Sequence, residues 1–411
     1  MKQVDKYLDK VSQNLDELGI KRGSEVVLGL SGGVDSSVSA LILKELGYSV
    51  RTVFIHCWKG KGESCVADED EKDAVKVATQ LKIPIEIIDL TKEYDEYVMN
   101  YFWSEYKKGR VPNADILCNT YIKFGFFADY AFKNGADYIS TGHYVQVKKF
   151  DDDAVFLASA VDDKKDQSYF LYQVKKSVLE KSVFALGVLK KSEAREIARE
   201  YGLHNADKED STGICFIGNI NIKHFLSEKL QKKKGDVVNL DGEVIGEHIG
   251  CNFYTVGQRH GFKVYEYTPV PLYVVDKDCS KNIIVVGKRV DAIQNEFLIY
   301  DSESEVKNNI ELVKNMNVFN GNFYVRIRNL GKFEPSSVEN IDSSSLNISG
   351  NCSLNDSGSN LLLIKSKTKG FFGVTPGQHG VIYTKFNNDY IVLGGGIITC
   401  VNTKYMKRFE L

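Results

Sequence analysis

The run LGLSGGVDSSV, residues 28 to 38, constrains this chain more than any other segment. It follows a strongly apolar strand-like stretch, Glu25 to Leu30, and opens a helix-like stretch from Val34 to Leu46. A glycine-rich turn in that setting is built to receive an anion. Gly32 and Gly33 allow close backbone approach, and the helix N-terminus adds N–H donors and the positive end of its dipole. Ser31, Ser36 and Ser37 add hydroxyl groups. Asp35 is out of place beside a phosphate unless it holds a divalent cation such as Mg²⁺. The run lacks the lysine of GxxxxGK[ST] and does not match GxGxxG.

The same strand-then-helix order repeats through the first 140 residues. YSVRTVFI and IPIEIIDL read as strands, with a helix between them from Asp68 to Leu81. Ile116 to Asn134 reads as a helix ending at Gly135, and Ala136 to Tyr144 as a fourth strand. Strands separated by helices predict an α/β domain with a parallel sheet, whose ligands bind beyond the C-terminal strand ends. Val4, Leu8, Val11, Leu15 and Leu18 recur at helical spacing and predict an amphipathic helix ahead of the first strand.

The helical reading continues from Glu180 to Tyr201. After about residue 208 the character changes. GDVVNLDGEVIGEH predicts a hairpin turning at Asp241-Gly242, and from residue 270 onward short β-rich runs predict a small all-β domain. Ser336 to Asn360, rich in Ser and Asn, reads as an extended turn or partly mobile loop. The division expected is 1–207, 208–285 and 286–411.

At 411 residues the chain is long enough for two or three domains. It has no run of about 18 apolar residues and no apolar signal core, so a cytoplasmic protein without membrane contact is expected. Its eight cysteines include no CxxC pair and fit a reducing compartment better than a disulfide scaffold. Net charge is -2. Between Lys164 and Lys234, however, 15 Lys and Arg face 9 Asp and Glu, a local excess of 15 − 9 = 6 that suits phosphate contact or a solvated helix equally.

Two cysteines stand out. Cys118 lies near the start of a predicted helix, where a thiol tends toward thiolate, and Asp115 sits three residues earlier as a proton acceptor or a helix cap. A small packed residue is the other reading of Cys118. Cys215, in DSTGICFIG, is bracketed by Gly213 and Gly218. Alone it reads as a buried residue, and beside Cys118 and a phosphate loop as a sulfur carrier. His56, Cys57 and Cys65 lack the second matched pair expected of a metal site, so no bound metal centre is expected.

SGGVDS resembles the pyrophosphate loop of the N-type ATP pyrophosphatases. From about Glu25 onward, SGGVDSSVSA, GRVPNADILCNTYIKFG, STGHY, KDQSYFLY, STGICFIG, TVGQRHGF and TPGQHG in that order resemble the tRNA-specific 2-thiouridylases. The resemblance implies an adenine nucleotide alpha hydrolase-like domain, a small central β-containing domain and a C-terminal β-barrel. It implies ATP-dependent 2-thiolation of the wobble uridine of tRNA, through adenylation of the C2 oxygen and sulfur transfer from a cysteine persulfide. ATP and Mg²⁺ are the implied cofactors. The anticodon stem-loop of tRNA and a persulfide donor, a cysteine desulfurase or sulfur-relay protein, are the implied partners.

Carried over by residue, Gly29, Leu30, Ser31, Gly32, Gly33, Val34, Asp35, Ser36, Ile55 and Gly142 are the implied ATP contacts. Cys118 is the implied nucleophile, Cys215 the persulfide carrier and Asp115 the proton acceptor, with a Cys118–Cys215 disulfide left after turnover. Asn113, Ala114, Asp115, His143, Lys165, Asp166, Gln167, Arg328, Asn329 and Gln378 are the implied tRNA contacts. Ala114 stands where the family usually carries proline, and FIHCW replaces its FMKNW-like stretch.

Overall fold

The computed structural model describes residues 4–58, 66–150, 154–210, 213, 215, 222–302, 305–316, 321–341 and 360–401. They form two compact units. The first holds residues 1–100, 114–220 and 386–392, and the second 101–113, 221–385 and 393–411.

The first unit is the expected α/β layer structure. Its strands are β1 (Glu25–Gly29), β2 (Ser49–His56), β3 (Ile85–Asp89), β4 (Tyr138–Ser140) and a hairpin of β5 (Gln146–Lys149) and β6 (Val155–Ala158). A further strand, β7 (Ser182–Val183), follows. The parallel sheet runs β3-β2-β1-β4-β7, and β1 at its centre pairs Val27 with both Arg51 and Ile139. The apolar run of β1 is explained by that position, since Val26, Val27 and Leu28 are buried on both faces. The helix α1 (Asp5–Glu17) buries Tyr7, Val11 and Leu15 in the same core as β1 and α2 (Val34–Glu45), so the predicted leading helix is a packed part of this domain.

Two readings of this unit change. The stretch from Glu180 is not continuously helical: Ser182 and Val183 add β7 beside β4, and the helix runs only from Lys191 to Glu200. Buried Ala185, Leu186 and Leu189 fill the turn between them, which gives the segment the apolar content of a helix. The helix expected from Ile116 is a composite. An α turn, Ala114–Leu117, passes into a π-helical segment, Cys118–Phe126, and then into an α-helix, Phe127–Lys133. The Phe127 N–H donates to the Ile122 carbonyl five residues back, the defining bond of the wider helix.

In the second unit, β8 (Gly235–Val238), β9 (Val244–His248), β10 (Lys263–Val264), β11 (Tyr273–Asp278) and β12 (Ile283–Gly287) form a sheet in the order β10-β9-β8-β12-β11. The β8–β9 hairpin turns at Asp241 and Gly242 as expected, with Gly242 at φ +90°. Six later strands, Glu296–Tyr300, Leu361–Ser366, Glu334–Ile341, Phe323–Arg326, His379–Phe386 and Asp389–Val401, neighbour one another in that order. The last pairs back onto the first, Ile397 opposite Tyr300, and closes a barrel.

The region read as all-β also holds an α-helix, Glu305–Asn315, which buries Val306 and Val313. Ser336 to Ile341, expected as loop, is strand paired with Leu361–Ser366, and Asn360 follows in a described coil position. The rest of the Ser/Asn-rich stretch, 342–359, lies outside the described residues, as does Cys65. Cys251 and Cys279 form a disulfide, which the irregular cysteine spacing did not signal. No helix among the described residues is long and apolar enough to cross a membrane.

Candidate active site

The phosphate loop lies at the C-terminal end of β1. Gly32 adopts φ +74°, and a Cβ there would stand 2.3 Å from the Asp70 carbonyl oxygen, so both conformation and space require glycine. Gly33 precedes the first turn of α2, where its carbonyl accepts from Ser37 Oγ at 2.8 Å and Ser36 Oγ at 3.2 Å. Ser36 Oγ also accepts from the Ser31 N–H at 3.2 Å and lies 3.1 Å from Ser31 Oγ. Ile55 is buried near the end of β2. Gly142 follows β4, and a Cβ on it would come within 2.6 Å of the Ser36 nitrogen. Leu30 and Val34 are buried supports of the turn. The nucleotide residues expected from sequence therefore converge on adjacent strand ends.

Asp35 occupies the first turn of α2, and its Oδ1 accepts from Tyr144 Oη at 2.9 Å and Lys191 Nζ at 2.7 Å. One carboxylate beside a phosphate loop suits Mg²⁺, which commonly binds through one or two carboxylates plus phosphate oxygens and water.

The second feature is a thiol pair. Cys118 Sγ donates to Cys215 Sγ at 3.2 Å. Asp115, on the α turn before Cys118, accepts the Cys215 N–H at 3.0 Å, and Tyr94 Oη donates to the Cys215 carbonyl at 2.8 Å. Lys123 lies one π-helical turn beyond Cys118 and hydrogen-bonds Cys215 through its side chain. Sequence reading passed over Lys123. The i, i+5 spacing carries no signal on an α-helix, and only the π-helical turn brings positions 118 and 123 to one side.

The charge distribution differs from the helix-dipole expectation. Burial, then the bond to Cys215, pushes the Cys118 thiol well above the ordinary thiol range. Cys118 is past the first turn of its helix, where the dipole has faded. The Cys215 thiol is lowered, first by the hydrogen bond from Cys118 and then by Lys123, against burial. Burial pulls the Lys123 ammonium down, but Cys215, Cys118 and Asp115 outweigh it and raise it. Burial raises Asp115, opposed by the Cys215 N–H and Lys123. The pair is therefore unequal: ionisation is favoured at Cys215, beside the Lys123 ammonium, and opposed at Cys118.

The chain matches, in order, the families described as tRNA methyl transferase HUP domain over 24–219, tRNA methyl transferase PRC-barrel domain over 223–288 and aminomethyltransferase beta-barrel domain over 308–398. It is 51% identical over 268 residues to a tRNA-specific 2-thiouridylase MnmA from Streptococcus uberis, covering 64% of this chain and 72% of that protein. The chain belongs to the tRNA-specific 2-thiouridylase family. A Streptococcus thermophilus protein of the same name is 49% identical over 270 residues, with coverage of 64% and 72%. Among solved structures, a U34-tRNA thiolase NcsA from Methanococcus maripaludis with its [4Fe-4S] cluster has 17% identity and a TM-score of 0.35, covering 55% of this chain and 71% of that one.

The remaining positions implied by the 2-thiouridylase family divide between the units. In the first, Ala114 is buried and His143 is buried with Nδ1 2.8 Å from Thr141 Oγ1; burial and then Lys123 hold its imidazole well below the usual range, so it is neutral. Lys165 pairs with Asp210. Asp166 accepts from the Ala160 and Ser168 N–H groups and from Ser168 Oγ, and Gln167 Oε1 accepts the Tyr144 N–H at 2.9 Å. Asp166 and Gln167 therefore hold the fold around Lys165. In the second unit, Gln378 Nε2 donates to the Val111 and Pro112 carbonyls and its Oε1 lies 3.4 Å from Asn113 Nδ2. Arg328 donates to the Val256 and Gly373 carbonyls, and Asn329 Oδ1 is buried without a hydrogen-bond partner among the described residues. His56, weighed for a metal, instead lies 2.6 Å from Glu71.

Proposed function

We propose that this chain is an ATP-dependent tRNA 2-thiouridylase acting on the wobble uridine, with Cys118 and Cys215 as its sulfur-handling pair. The observation that carries the reading is the 3.2 Å separation of the two sulfurs beside Lys123 and Asp115. Membership of the 2-thiouridylase family supports the substrate, and the phosphate loop with Gly142 supports ATP.

The chemistry follows from the need for a leaving group. The uracil C2 oxygen attacks the α-phosphorus of ATP, and pyrophosphate leaves. A persulfide on Cys215, loaded by a cysteine desulfurase or sulfur-relay protein, supplies its outer sulfur to C2, either directly or as hydrosulfide, and AMP departs with the former C2 oxygen. Cys118, after losing its proton, attacks Cys215 Sγ and breaks the persulfide S–S bond. The product is a Cys118–Cys215 disulfide, and an external dithiol returns two electrons to restore both thiols. Asp115, whose carboxyl burial raises and which accepts the Cys215 N–H beside this pair, takes the proton Cys118 must lose. Mg²⁺ at Asp35 would neutralise charge on the departing pyrophosphate.

Asn113, Ala114, Asp115, His143, Lys165, Asp166, Gln167, Arg328, Asn329 and Gln378 are proposed as the tRNA-facing set, directly or through the loops they brace. Extrusion of an anticodon base costs little, which suits a site that must reach C2. The division proposed is 1–207, 208–285 and 286–411; the three family matches, over 24–219, 223–288 and 308–398, support three successive domains, the first of them matched past residue 207. A cytoplasmic location suits a tRNA substrate and free thiols at the site, while the Cys251–Cys279 pair is the feature that pulls the other way. The test is thiolation of tRNA with ATP, Mg²⁺ and a persulfide donor. Loss of thiolated uridine in both Cys118→Ser and Cys215→Ser is the expected result, and full activity in either variant would defeat the assignment.

A further inference from the structure

Beside the phosphate loop a charge cluster is centred on Lys191, a residue to which neither resemblance nor mechanism gave a role. Lys191, at the start of the helix Lys191–Glu200, places its Nζ 2.7 Å from Asp35 Oδ1 and 2.7 Å from Asp210 Oδ1. Its side chain is 11% exposed. Asp210 is held again by Arg195 at 2.9 Å and by Lys165. The segment before it is tied to the same loop, since Asn205 Nδ2 donates to the Gly32 carbonyl and Ser37 Oγ, both at 2.9 Å. A single ammonium therefore joins an aspartate of the phosphate loop to an aspartate five residues before the sulfur carrier.

We propose that Lys191 is a polyphosphate-contact residue, and that its bridge to Asp210 couples nucleotide binding at the phosphate loop to the reactivity of Cys215. The inference rests on the nucleotide site proposed above. A lysine shared between two carboxylates has its charge fully engaged. A triphosphate on the Ser31–Ser37 loop brings several negative charges beside Asp35 and competes with Asp210 for the same ammonium. Asp210 then keeps Lys165 and Arg195 but loses its link to the loop. The Cys215 backbone retains the hold of Asp115 and Tyr94 while its upstream anchor loosens. Nucleotide occupancy is thereby reported to the thiol before sulfur moves.

The experiment measures two quantities in wild type, Lys191→Met, Lys191→Arg and Asp210→Asn: the dissociation constant of Mg²⁺ with α,β-methylene ATP, and the iodoacetamide alkylation rate of the Cys215 peptide with and without that nucleotide. In wild type, nucleotide is expected to speed alkylation about tenfold, the scale of one charge-assisted hydrogen bond. Lys191→Met weakens nucleotide binding and Lys191→Arg restores it. Asp210→Asn leaves binding equal or tighter while Cys215 alkylates fast whether or not nucleotide is present. A purely structural bridge would not produce those opposite effects on nucleotide binding. If wild type binds nucleotide but Cys215 alkylation is unchanged or slowed, or if Asp210→Asn responds like wild type, the coupling is wrong and the proposed activity stands. If wild type binds no nucleotide, the proposed nucleotide site itself falls, and the coupling with it.

Discussion

Cys118 and Cys215, 97 positions apart in the chain, meet with their sulfurs 3.2 Å apart, and the hydrogen between them belongs to Cys118. That is a non-bonded contact, well outside the roughly 2.05 Å of a disulfide, yet close enough that bond formation needs only a small approach. The arrangement makes the pair chemically unequal. One thiol donates and resists ionisation, and the other accepts and ionises more readily.

The inequality predicts a pH dependence. Alkylation tracks thiolate, so a lowered Cys215 pKa moves the midpoint of its alkylation profile below the ordinary thiol value of about 8.5. Cys118→Ala removes the donor and Lys123→Met removes the cation, so each variant moves the midpoint upward. Mass-spectrometric alkylation of the Cys215 peptide across pH checks both. A wild-type midpoint at or above that of a free thiol would contradict the charge assignment.

Gly142→Ala tests the phosphate loop without removing a polar group. The added methyl would stand 2.6 Å from the Ser36 backbone nitrogen, so the head of α2 or the end of β4 must shift. Overpacking of this kind costs about 1–3 kcal/mol. Expressed at the loop, that weakens nucleotide binding by roughly ten- to a hundredfold. Isothermal titration reads it, and unchanged affinity would remove Gly142 from the site.

The leading helix is part of the core. Leu15 is fully buried against the cluster that contains Leu28 and Val38. Leu15→Ala is expected to cost about 2–5 kcal/mol in unfolding free energy. Denaturant melts measure it, and a loss under about 0.5 kcal/mol, as for an ordinary surface position, would show the helix to be an appendage.

Asp210 gives an acid-side prediction. Burial raises its carboxyl, but Lys165 and Lys191 overcome this and hold it at about 2. Its unfolded value is about 3.9, so the ion pairs contribute stability above that pH and lose it as pH falls toward 2. The stability gap between wild type and Asp210→Asn therefore narrows between about pH 4 and pH 2. Denaturant midpoints at pH 6 and pH 2.5 measure it, and a gap that stays constant would rule out the ion pairs as its source.

Local pattern made the parallel sheet readable. The doubly buried run of β1, the glycine turn and the helix of α2 each point to the same architecture, so strand–helix order and the ligand end of the sheet followed. Short and composite elements did not. Ser182 and Val183 make a strand too brief to show a period, and the apolar turn after them mimics a helix. Lys123 lay in a stretch correctly read as helical, but an α-helix would have turned it away from Cys118. The long-range pairings, Cys118 with Cys215 and Lys191 with Asp210, depend on how distant loops meet at the sheet edge. Resemblance supplied the first pair and nothing in the sequence supplied the second.

The most direct test is quantitation of thiolated wobble uridine in tRNA incubated with ATP, Mg²⁺ and a persulfide donor, for wild type, Cys118→Ser and Cys215→Ser. The account predicts 2-thiouridine at that position from wild type, with AMP and pyrophosphate released, and sharply less from both variants. Pyrophosphate released by wild type while the tRNA stays unthiolated would contradict the central claim.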